Sequence, residues 1–341
     1  MHIRGRDPNG ERPRISAQAI ERLLASAHRR ADGFHGLSPN RALRMLGLGR
    51  ARPHPKPGTW IVGGTGGTAV TEIRIRRREI LVIIPDVETV RIHLEPRVTA
   101  GFVEDVTQLQ AFIPGPPLGI VVERHATRFP WQHGRRLDTV DAGTRIDAVR
   151  ALLSAQTEAV RATRTEGADD LVRTALDLGR ASGGPEAVAL TALLEHRSLS
   201  HLAGLPLALQ HGDPGSGNVI VAAGGTAALV DWTPSTVGRR PFWSDAAHLV
   251  SIDQHRPLIE GAFDAELAAL WCAAGLHAPD ADELRRLLPL AGVLFYAMIS
   301  LSVDRDGRTI SLKTGAPPKR LSKPWKIQRA LDHLPPSLSL A

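Results

Sequence analysis

The chain has little cysteine, tyrosine or lysine. Its 341 residues include one cysteine, Cys272, and one tyrosine. A single cysteine excludes an intramolecular disulfide and a cysteine-rich metal site, and it is typical of a reducing compartment. The polar opening segment, MHIRGRDPNGERPR, contains no apolar region of a secretory signal. We therefore expect a cytoplasmic protein.

Long apolar runs are also scarce. The best candidate for a membrane span, residues 287–303, contains Pro289 and two serines and has 17 residues, whereas a bilayer needs about 20. It predicts a buried helix, so no membrane partner is expected. The 14 histidines show no zinc-ligand spacing such as H-E-x-x-H.

Basic residues are concentrated at the two ends of the chain. Residues 1–60 contain 12 Lys/Arg against 4 Asp/Glu, and residues 305–341 contain 8 against 2. Residues 141–304 are acidic, with 12 Lys/Arg against 20 Asp/Glu. Basic tails are usually solvated, and no zinc-finger or RNA-binding aromatic pattern accompanies them. We therefore expect no nucleic-acid partner.

Hydrophobic periodicity divides the chain into three parts. Residues 1–57 form a basic extension with helices predicted over 15–31 and 39–48, and the proline-rich segment 51–58 reads as a linker. Residues 58–125 form a small β-rich lobe. Its pattern predicts strands over 59–62, 70–76, 80–84, 89–94 and 119–123, with one helix over 100–112.

The third part, residues 126–341, is mainly helical and ends in a basic tail. Helices are predicted over 143–165, 168–180, 185–197, 262–275 and 280–303, with a short β region near residue 220. The fold class is therefore α+β, with a small antiparallel β lobe and a larger, mainly helical lobe.

The most informative segment is QHGDPGSGNVIV, residues 210–221. An apolar strand, a Gly-Gly turn and a return strand lead from Asn218 to Asp231. Because such a turn folds the strands together, Asn218 and Asp231 can reach the same end of a hairpin, where their oxygens suit Mg²⁺. Asp213 could there accept a proton from an attacking hydroxyl. Any one of these residues alone would be explained as part of a polar turn.

Taken in order, these residues resemble the aminoglycoside phosphotransferase and choline kinase-like family, whose hallmark is H-G-D, an asparagine five residues later and a strand pair ending in I-D-W or similar. The matching positions are His211, Gly212, Asp213, Asn218, Asp231 and Trp232. The segment GRRPFWSDAAHLV, residues 238–250, is similar to the family segment that ends in D-L-A.

The resemblance implies a two-lobed, protein-kinase-like fold that binds ATP and Mg²⁺ between its lobes. It implies that Asp213 is the catalytic base in a loop that also contains His211, and that Asn218 and Asp231 are magnesium ligands. Asp245 would be a buried carboxylate that braces this loop.

A glycine-rich segment, VGGTGGTAV at 62–70, lies between two predicted strands and contains Gly63, Gly64, Gly66 and Gly67. A strand–loop–strand of this kind can cover ATP phosphates with backbone N–H groups. A Rossmann reading would require a helix where 70–76 alternates like a strand. A plain hairpin turn is the remaining alternative.

None of the five lysines lies in a small-lobe strand, although kinase-like enzymes usually place a phosphate-binding lysine there. The matching residue is Arg91, with Glu104 or Asp105 as its expected helix partner; an exposed strand arginine is the alternative. The family pattern also implies that residues from Glu123 to His125 form the hinge that binds adenine.

Arg239 and Arg240 are expected in a loop that either meets substrate or phosphate or is solvated. The residues together predict ATP- and Mg²⁺-dependent transfer of a phosphoryl group to a hydroxyl of an aminoglycoside-like antibiotic or natural product. One alternative is a kinase for Ser/Thr of a peptide in lanthipeptide-like biosynthesis, with a leader peptide or partner protein docking on the N-terminal extension. Another is a nucleotide-binding pseudokinase scaffold.

Overall fold

The structure is a computed structural model of the chain. It describes residues 15–48, 51–53, 58–62, 71–77, 79–85, 88–94, 100–113, 121–123, 125–166, 170–182, 202, 204–233, 236–251, 254–299, 301–303, 309–311, 318 and 327. The chain forms two compact units, one comprising 1–100 with 118–132 and the other 101–117 with 133–341. The predicted glycine-rich loop, with Gly63, Gly64, Gly66 and Gly67, and the predicted helix 185–197 lie outside the described residues.

The first unit contains a seven-stranded antiparallel sheet. Its strands are β1 (Ala51–Pro53), β2 (Thr59–Val62), β3 (Thr71–Ile75), β4 (Glu79–Ile84), β5 (Glu88–His93), β6 (Val121–Glu123) and β7 (Ala126–Pro130), in the order β1-β2-β3-β4-β5-β7-β6. Residues 51–53, predicted as a linker, are instead an edge strand paired with β2. Proline is tolerated there because an edge strand leaves one side of its backbone unpaired.

Two N-terminal helices, α1 (Ala17–His28) and α2 (Pro39–Met45), cover one face of this sheet. Ser16 caps α1, since its side chain accepts a hydrogen bond from Ala19 N at 3.2 Å. The shared core is formed by fully buried side chains of both layers, among them Leu23, Phe34, Leu43, Ile80 and Ile92. The apolar face of residues 15–46 is therefore used inside the first unit.

The second unit is mainly helical. Its helices are α3 (Ala100–Gln110), α4 (Ala142–Thr163), α5 (Asp170–Ser182), α6 (Ser244–Ser251), α7 (His255–Ile259), α8 (Asp264–Ala273) and α9 (Ala281–Met298). Asp141 caps α4 by accepting from Thr144 N at 3.0 Å, and Asp280 caps α9 by accepting from Glu283 N at 2.7 Å. Helix α9 is buried from Leu287 to Met298. Within the described ranges, no helix is long and apolar enough to cross a bilayer.

Two small antiparallel sheets accompany these helices. They contain β8 (Arg135–Arg136), β9 (Leu207–Gln210), β10 (Val219–Val221), β11 (Ala227–Leu229), β12 (Gly238–Pro241), β13 (Leu301–Val303) and β14 (Thr309–Ser311), in the orders β11-β10-β8 and β14-β13-β12-β9. The four-stranded sheet was not predicted. The helix expected over 280–303 ends at Met298. The last three residues of the predicted range, 301–303, form β13 instead. All residues of β9 and β13 are buried. The strands were missed because a short apolar run without alternation does not distinguish a helix from a strand.

The α+β fold class is confirmed: a small antiparallel β unit accompanies a larger, mainly helical one. What matters for the site is that β9 and β12 are neighbours, with Gly238 opposite Gln210. Because the two strands are antiparallel, the loop after β9 lies beside the segment that leads into β12, and Thr236 O is next to Gly212.

Candidate active site

The predicted catalytic loop follows β9 directly and ends in a short 3-10 turn, Ser216–Asn218, that leads into β10. Its second residue, Gly212, has φ = 77°, a conformation that only glycine adopts without cost. A Cβ at Gly212 would collide with the carbonyl of Thr236 and the guanidinium of Arg240. Glycine is therefore required here for both its φ and its size.

Asp245, in the first turn of α6, holds this loop. Its Oδ2 accepts from His211 N at 2.7 Å and its Oδ1 accepts from Gly212 N at 2.9 Å. Burial raises the pKa of Asp245 to about 6, although Arg240 and the two backbone N–H groups lower it. A mostly apolar cavity of about 30 Å³ borders Asp245 and His211, which is consistent with this strong desolvation. The contacts are those of the bracing carboxylate that the sequence predicted.

His211 is buried and supports the loop from inside. Its Nδ1 accepts from Asp213 N at 3.3 Å, and its ring packs edge-to-face on Trp232 with centroids 4.6 Å apart. Burial lowers the pKa of His211 to about 4, against the opposing charges of Asp213 and Asp231. The imidazole is therefore neutral near pH 7. Its contacts are those of a residue that positions Asp213.

Asp213, Asn218 and Asp231 are brought together by the β10–β11 hairpin. Asn218 Nδ2 donates to Asp213 O at 2.9 Å, and Val230 N donates to Asn218 O at 2.8 Å. Asn218 and Asp231 therefore lie at the same end of the hairpin. The amide nitrogen of Asn218 is engaged, which leaves its amide oxygen for a cation.

The backbone of Asp231 is strained. Its φ is 67°, which makes Asp231 the non-glycine residue with positive φ among those described. Aspartate tolerates this region better than most residues, but such conformations cost free energy and cluster at functional sites. The positive φ turns the backbone away from the strand direction that β11 would otherwise continue.

The donor set at this end of the hairpin fits a hard divalent cation. One amide oxygen and one carboxylate are ligand types that Mg²⁺ accepts, and Mg²⁺ usually completes its shell with water and substrate phosphates. In the described part of the chain, no group of three or more His, Cys, Asp or Glu side chains is arranged to hold a metal ion. The residues therefore fit a cation that phosphate oxygens help to bind.

Two glutamines and a threonine belong to this site although the sequence analysis did not identify them. Gln210 Oε1 accepts from Asp245 N at 3.0 Å and from Gln156 Nε2 at 2.9 Å. Thr163 Oγ1 accepts from Leu209 N at 3.0 Å. The position of Gln210 next to the H-G-D motif was the available signal. Gln156 and Thr163 are distant in sequence and gave none.

Arg239 and Arg240 are not in a loop. Both lie on β12; Arg239 Nη1 donates to Thr163 O at 2.8 Å, and Arg240 is fully buried. The prediction that Arg240 meets phosphate or solvent is therefore wrong. The dipeptide lies between Gly238 and Pro241, and these four residues together form β12.

In the first unit, Arg91 lies on β5 with 6% of its surface exposed. Its Nη1 donates to Glu79 Oε2, on the neighbouring strand β4, at 2.8 Å. Burial would raise the pKa of Glu79, but Arg91, with help from His93 and Arg76, brings it below the usual value. The alternative of an exposed strand arginine is thus wrong, and Arg91 has a carboxylate partner within its own sheet.

The expected helix partners of Arg91 are on α3, in the other unit. Glu104 is on the exposed face of α3, whose buried face consists of Phe102, Val106 and Leu109. The pairing of Glu104 or Asp105 with Arg91 stays a prediction.

The hinge predicted from Glu123 to His125 is instead a hairpin turn. Glu123 pairs with Ala126, so β6 turns back into β7 within the sheet. His125 O accepts from His93 N at 2.7 Å, and His125 Nδ1 lies 3.2 Å from His93 O. After residues 118–132, which belong to the first unit, the chain returns to the second unit at His133. Strand β7 was missed because β6 and its turn are very short.

A carboxylate-braced H-G-D loop beside a hairpin that brings an asparagine and an aspartate to one end is typical of a kinase-like phosphotransferase. The model of the phosphotransferase enzyme family (APH) matches residues 118–289, about half of the chain. The chain belongs to this family. Its smaller unit is an antiparallel sheet with helices and its larger unit is mainly helical, as the sequence predicted.

Solved structures of small-molecule kinases are similar to the chain at low identity. A glucosamine kinase is 19% identical over 98% of this chain and 85% of its own, with a TM-score of 0.43. A choline/ethanolamine kinase family protein from Mesorhizobium loti is 13% identical over 94% and 97%, with a TM-score of 0.41. The aminoglycoside phosphotransferase APH(3'')-Id from Streptomyces rimosus, in complex with ADP and streptomycin, is 17% identical over 63% and 90%, with a TM-score of 0.39. No curated protein matches the chain in sequence.

Proposed function

We propose that the chain transfers the γ-phosphoryl group of ATP to a hydroxyl of a small molecule, with Mg²⁺ as cofactor. The observation that carries the proposal is the arrangement of Asp213, Asn218 and Asp231 at one end of the β10–β11 hairpin. The positive φ of Asp231 supports it, because strained backbone conformations cluster at functional sites.

In the proposed reaction, Asp213 orients the acceptor hydroxyl and takes its proton as the new O–P bond forms and the bond to ADP breaks. Asn218 Oδ1 and the Asp231 carboxylate would hold Mg²⁺, which supplies positive charge next to the phosphate oxygens. Asp245 and His211 keep the loop in the geometry that Asp213 requires. Catalysis is then mainly positioning and electrostatic stabilisation.

The nucleotide contacts of the first unit belong to the same proposal. Arg91 would bind phosphate oxygens, for which a planar guanidinium is well suited, while Glu79 fixes its direction. Backbone N–H groups of Gly63, Gly64, Gly66 and Gly67 would cover the phosphates, and Glu104 would assist Arg91. The lone Cys272 is exposed and unpaired, in keeping with a cytoplasmic enzyme.

A small cationic acceptor, such as an aminoglycoside or another amino sugar, is the substrate class we favour. Residues 141–304 have 20 Asp/Glu against 12 Lys/Arg, and an acidic surface attracts cationic ligands. A peptide acceptor is less favoured, because the apolar face of the N-terminal helices, the expected docking arm for a leader peptide, is buried against the sheet.

The test is ATP turnover measured with a panel of amino sugars, aminoglycosides and a serine-containing peptide. Asp213→Ala should lower kcat about 10²- to 10⁴-fold and leave the KM for ATP nearly unchanged, since the aspartate acts on the acceptor. Asp147→Ala is the matched control, because Asp147 is on the surface of α4 with a side chain that is 77% exposed.

Retention of normal turnover by Asp213→Ala would refute the catalytic assignment. A wild-type protein that binds ATP but neither hydrolyses it nor transfers phosphate would instead be the pseudokinase scaffold.

A further inference from the structure

Arg240 is an unusual residue to find under a catalytic loop. It is fully buried and, with Trp232 and Trp243, is among the largest such side chains of the described residues. Arg240 Nη2 donates to Ile299 O at 3.3 Å, whereas its Nε and Nη1 have no hydrogen-bond partner in the described part of the chain. A buried guanidinium is costly unless charges nearby compensate it.

The guanidinium lies against the backbone of the H-G-D loop. Its Nη1 occupies the space that a side chain at Gly212 would need, while the N–H of Gly212 donates to Asp245 Oδ1 at 2.9 Å. Two contacts thus restrict Gly212: the guanidinium of Arg240 lies next to its Cα, and its N–H donates to the carboxylate of Asp245. The next residue in the chain is Asp213, whose direction depends on both constraints.

The charges around Gly212 are two carboxylates and one cation. Asp245 and Asp213 both act on Arg240, and Arg240 acts on Asp245. Arg240 and Asp245 share no hydrogen bond or close ion pair, so the effect is electrostatic, exerted across the loop backbone. His211, on the same loop, is buried. Gln210, which is neutral, accepts from Asp245 N, and Gln156 donates to Gln210.

We propose that Arg240 is a positioning residue for phosphoryl transfer: its buried guanidinium balances the charge of Asp245, fixes Gly212, and through both sets the direction of Asp213. This inference rests on the proposed function for its effect on turnover. Its effect on the loop can be observed without any turnover.

The charge states agree with this role. Burial lowers the pKa of Arg240 to about 10, with Asp245 and Asp213 opposing the change, so the guanidinium stays charged near neutral pH. Burial raises the pKa of Asp245 to about 6 while Arg240 lowers it. Loss of the Arg240 charge should therefore raise the pKa of Asp245. A larger fraction of Asp245 is then protonated near neutral pH, which weakens its hydrogen bonds to the loop.

The experiment compares Arg240→Met, Arg240→Lys, Asp245→Asn and the double variant Arg240→Met/Asp245→Asn. Arg239→Met is the matched control, because Arg239 is the neighbouring residue on β12, points to the opposite side of the strand and contacts Thr163 O. Amide hydrogen exchange is measured on peptides covering residues 207–218. Melting temperature, kcat and the KM for ATP are measured in parallel, with ATP hydrolysis as the readout until an acceptor is found.

In Arg240→Met we expect faster exchange of the His211 and Gly212 amides, a kcat lower by about ten- to hundredfold, and a KM for ATP that changes little. The acid limb of its kcat–pH profile should move to higher pH. Arg240→Lys should leave that limb in place and recover part of the kcat. The double variant should be no slower than Asp245→Asn alone, since both changes remove the same brace.

The proposal is overturned if folded Arg240→Met keeps wild-type exchange at His211 and Gly212, or if its kcat falls uniformly with pH and no more than in Arg239→Met. It is also overturned if the two changes lower kcat independently in the double variant. Should Arg240→Met fail to fold, the exchange and pH profile of Arg240→Lys decide by the same criteria. A wild-type chain without turnover would refute the proposed function, while amide exchange would still test the role of Arg240.

Discussion

The Asp245→Asn variant separates two effects of Asp245. Its buried charge lowers the free energy of unfolding, whereas its hydrogen bonds hold the H-G-D loop. Burial raises the pKa of Asp245 from 3.8 to about 6 in the folded chain. A carboxyl group with a raised folded-state pKa favours folding below its unfolded pKa, and this contribution is lost as pH rises through the folded pKa. The shift of about two units corresponds to about 3 kcal/mol of lost stability at neutral pH. Keeping Asp245 ionised in the folded chain therefore lowers the free energy of unfolding.

Asparagine would remove that cost but keep one oxygen for the two backbone donors. The loop would lose one charge-assisted hydrogen bond, at about 1.5–3 kcal/mol, and its amide group would face a backbone N–H. We expect the stability of the variant relative to wild type to improve by about 1.5 kcal/mol between pH 5 and pH 7.5. We expect its kcat to fall at least about tenfold throughout this range.

The assay is urea unfolding at several pH values between 5 and 8, with kcat measured in the same buffers. A stability difference that stays constant with pH would show that Asp245 has an ordinary pKa in the folded chain. Normal turnover by a folded Asp245→Asn variant would show that the loop does not depend on the two hydrogen bonds.

Three further changes test neighbouring parts of the site. Gly212→Ala should abolish turnover and lower the melting temperature, because φ = 77° and the contact with Arg240 both exclude a Cβ. The control is Gly224→Ala, which should be neutral or slightly stabilising because nothing lies within 4 Å of a Cβ there. Equal behaviour of the two variants would contradict the packing argument. Glu79→Gln should raise the KM for ATP more than it lowers kcat, since it removes the charged partner of Arg91. The control is Glu72→Gln, which affects the Arg74 ion pair and should leave the KM for ATP unchanged. An unchanged KM in Glu79→Gln would disprove the role of the Arg91–Glu79 pair. Asn218→Ala should raise the Mg²⁺ concentration needed for half-maximal turnover, and an unchanged Mg²⁺ dependence would remove Asn218 from the cation site.

The sequence was most informative where the chemistry is local. Asn218 and Asp231 were expected at one end of a hairpin because a Gly-Gly turn lies between two apolar strands, and the hairpin forms with Val219 opposite Leu229. The two N-terminal helices and four of the first-unit strands were also expected near their observed positions, since their apolar residues recur with clear periods.

Prediction failed where elements are short or buried on all sides. Strands β9, β12 and β13 have three or four residues each, too few to establish alternation. The β6–β7 turn was taken for a hinge for the same reason. The burial of Arg240 could not be predicted, because a charged residue beside proline reads as exposed until its compensating carboxylates are known.

The register of the sheet explains the position of Arg91, which we propose as a phosphate-binding residue. Strands β4 and β5 pair with Leu81 opposite Arg91 and Glu79 opposite His93, so the Arg91–Glu79 contact is a diagonal one on a single face. Such diagonal neighbours are within reach of long side chains, and the register of the sheet keeps them together. Arg91 and His93 alternate with Val90 and Ile92, which face the N-terminal helices, so the sheet presents its charged pair on the opposite face. The direction of Arg91 is then fixed by strand pairing within one unit.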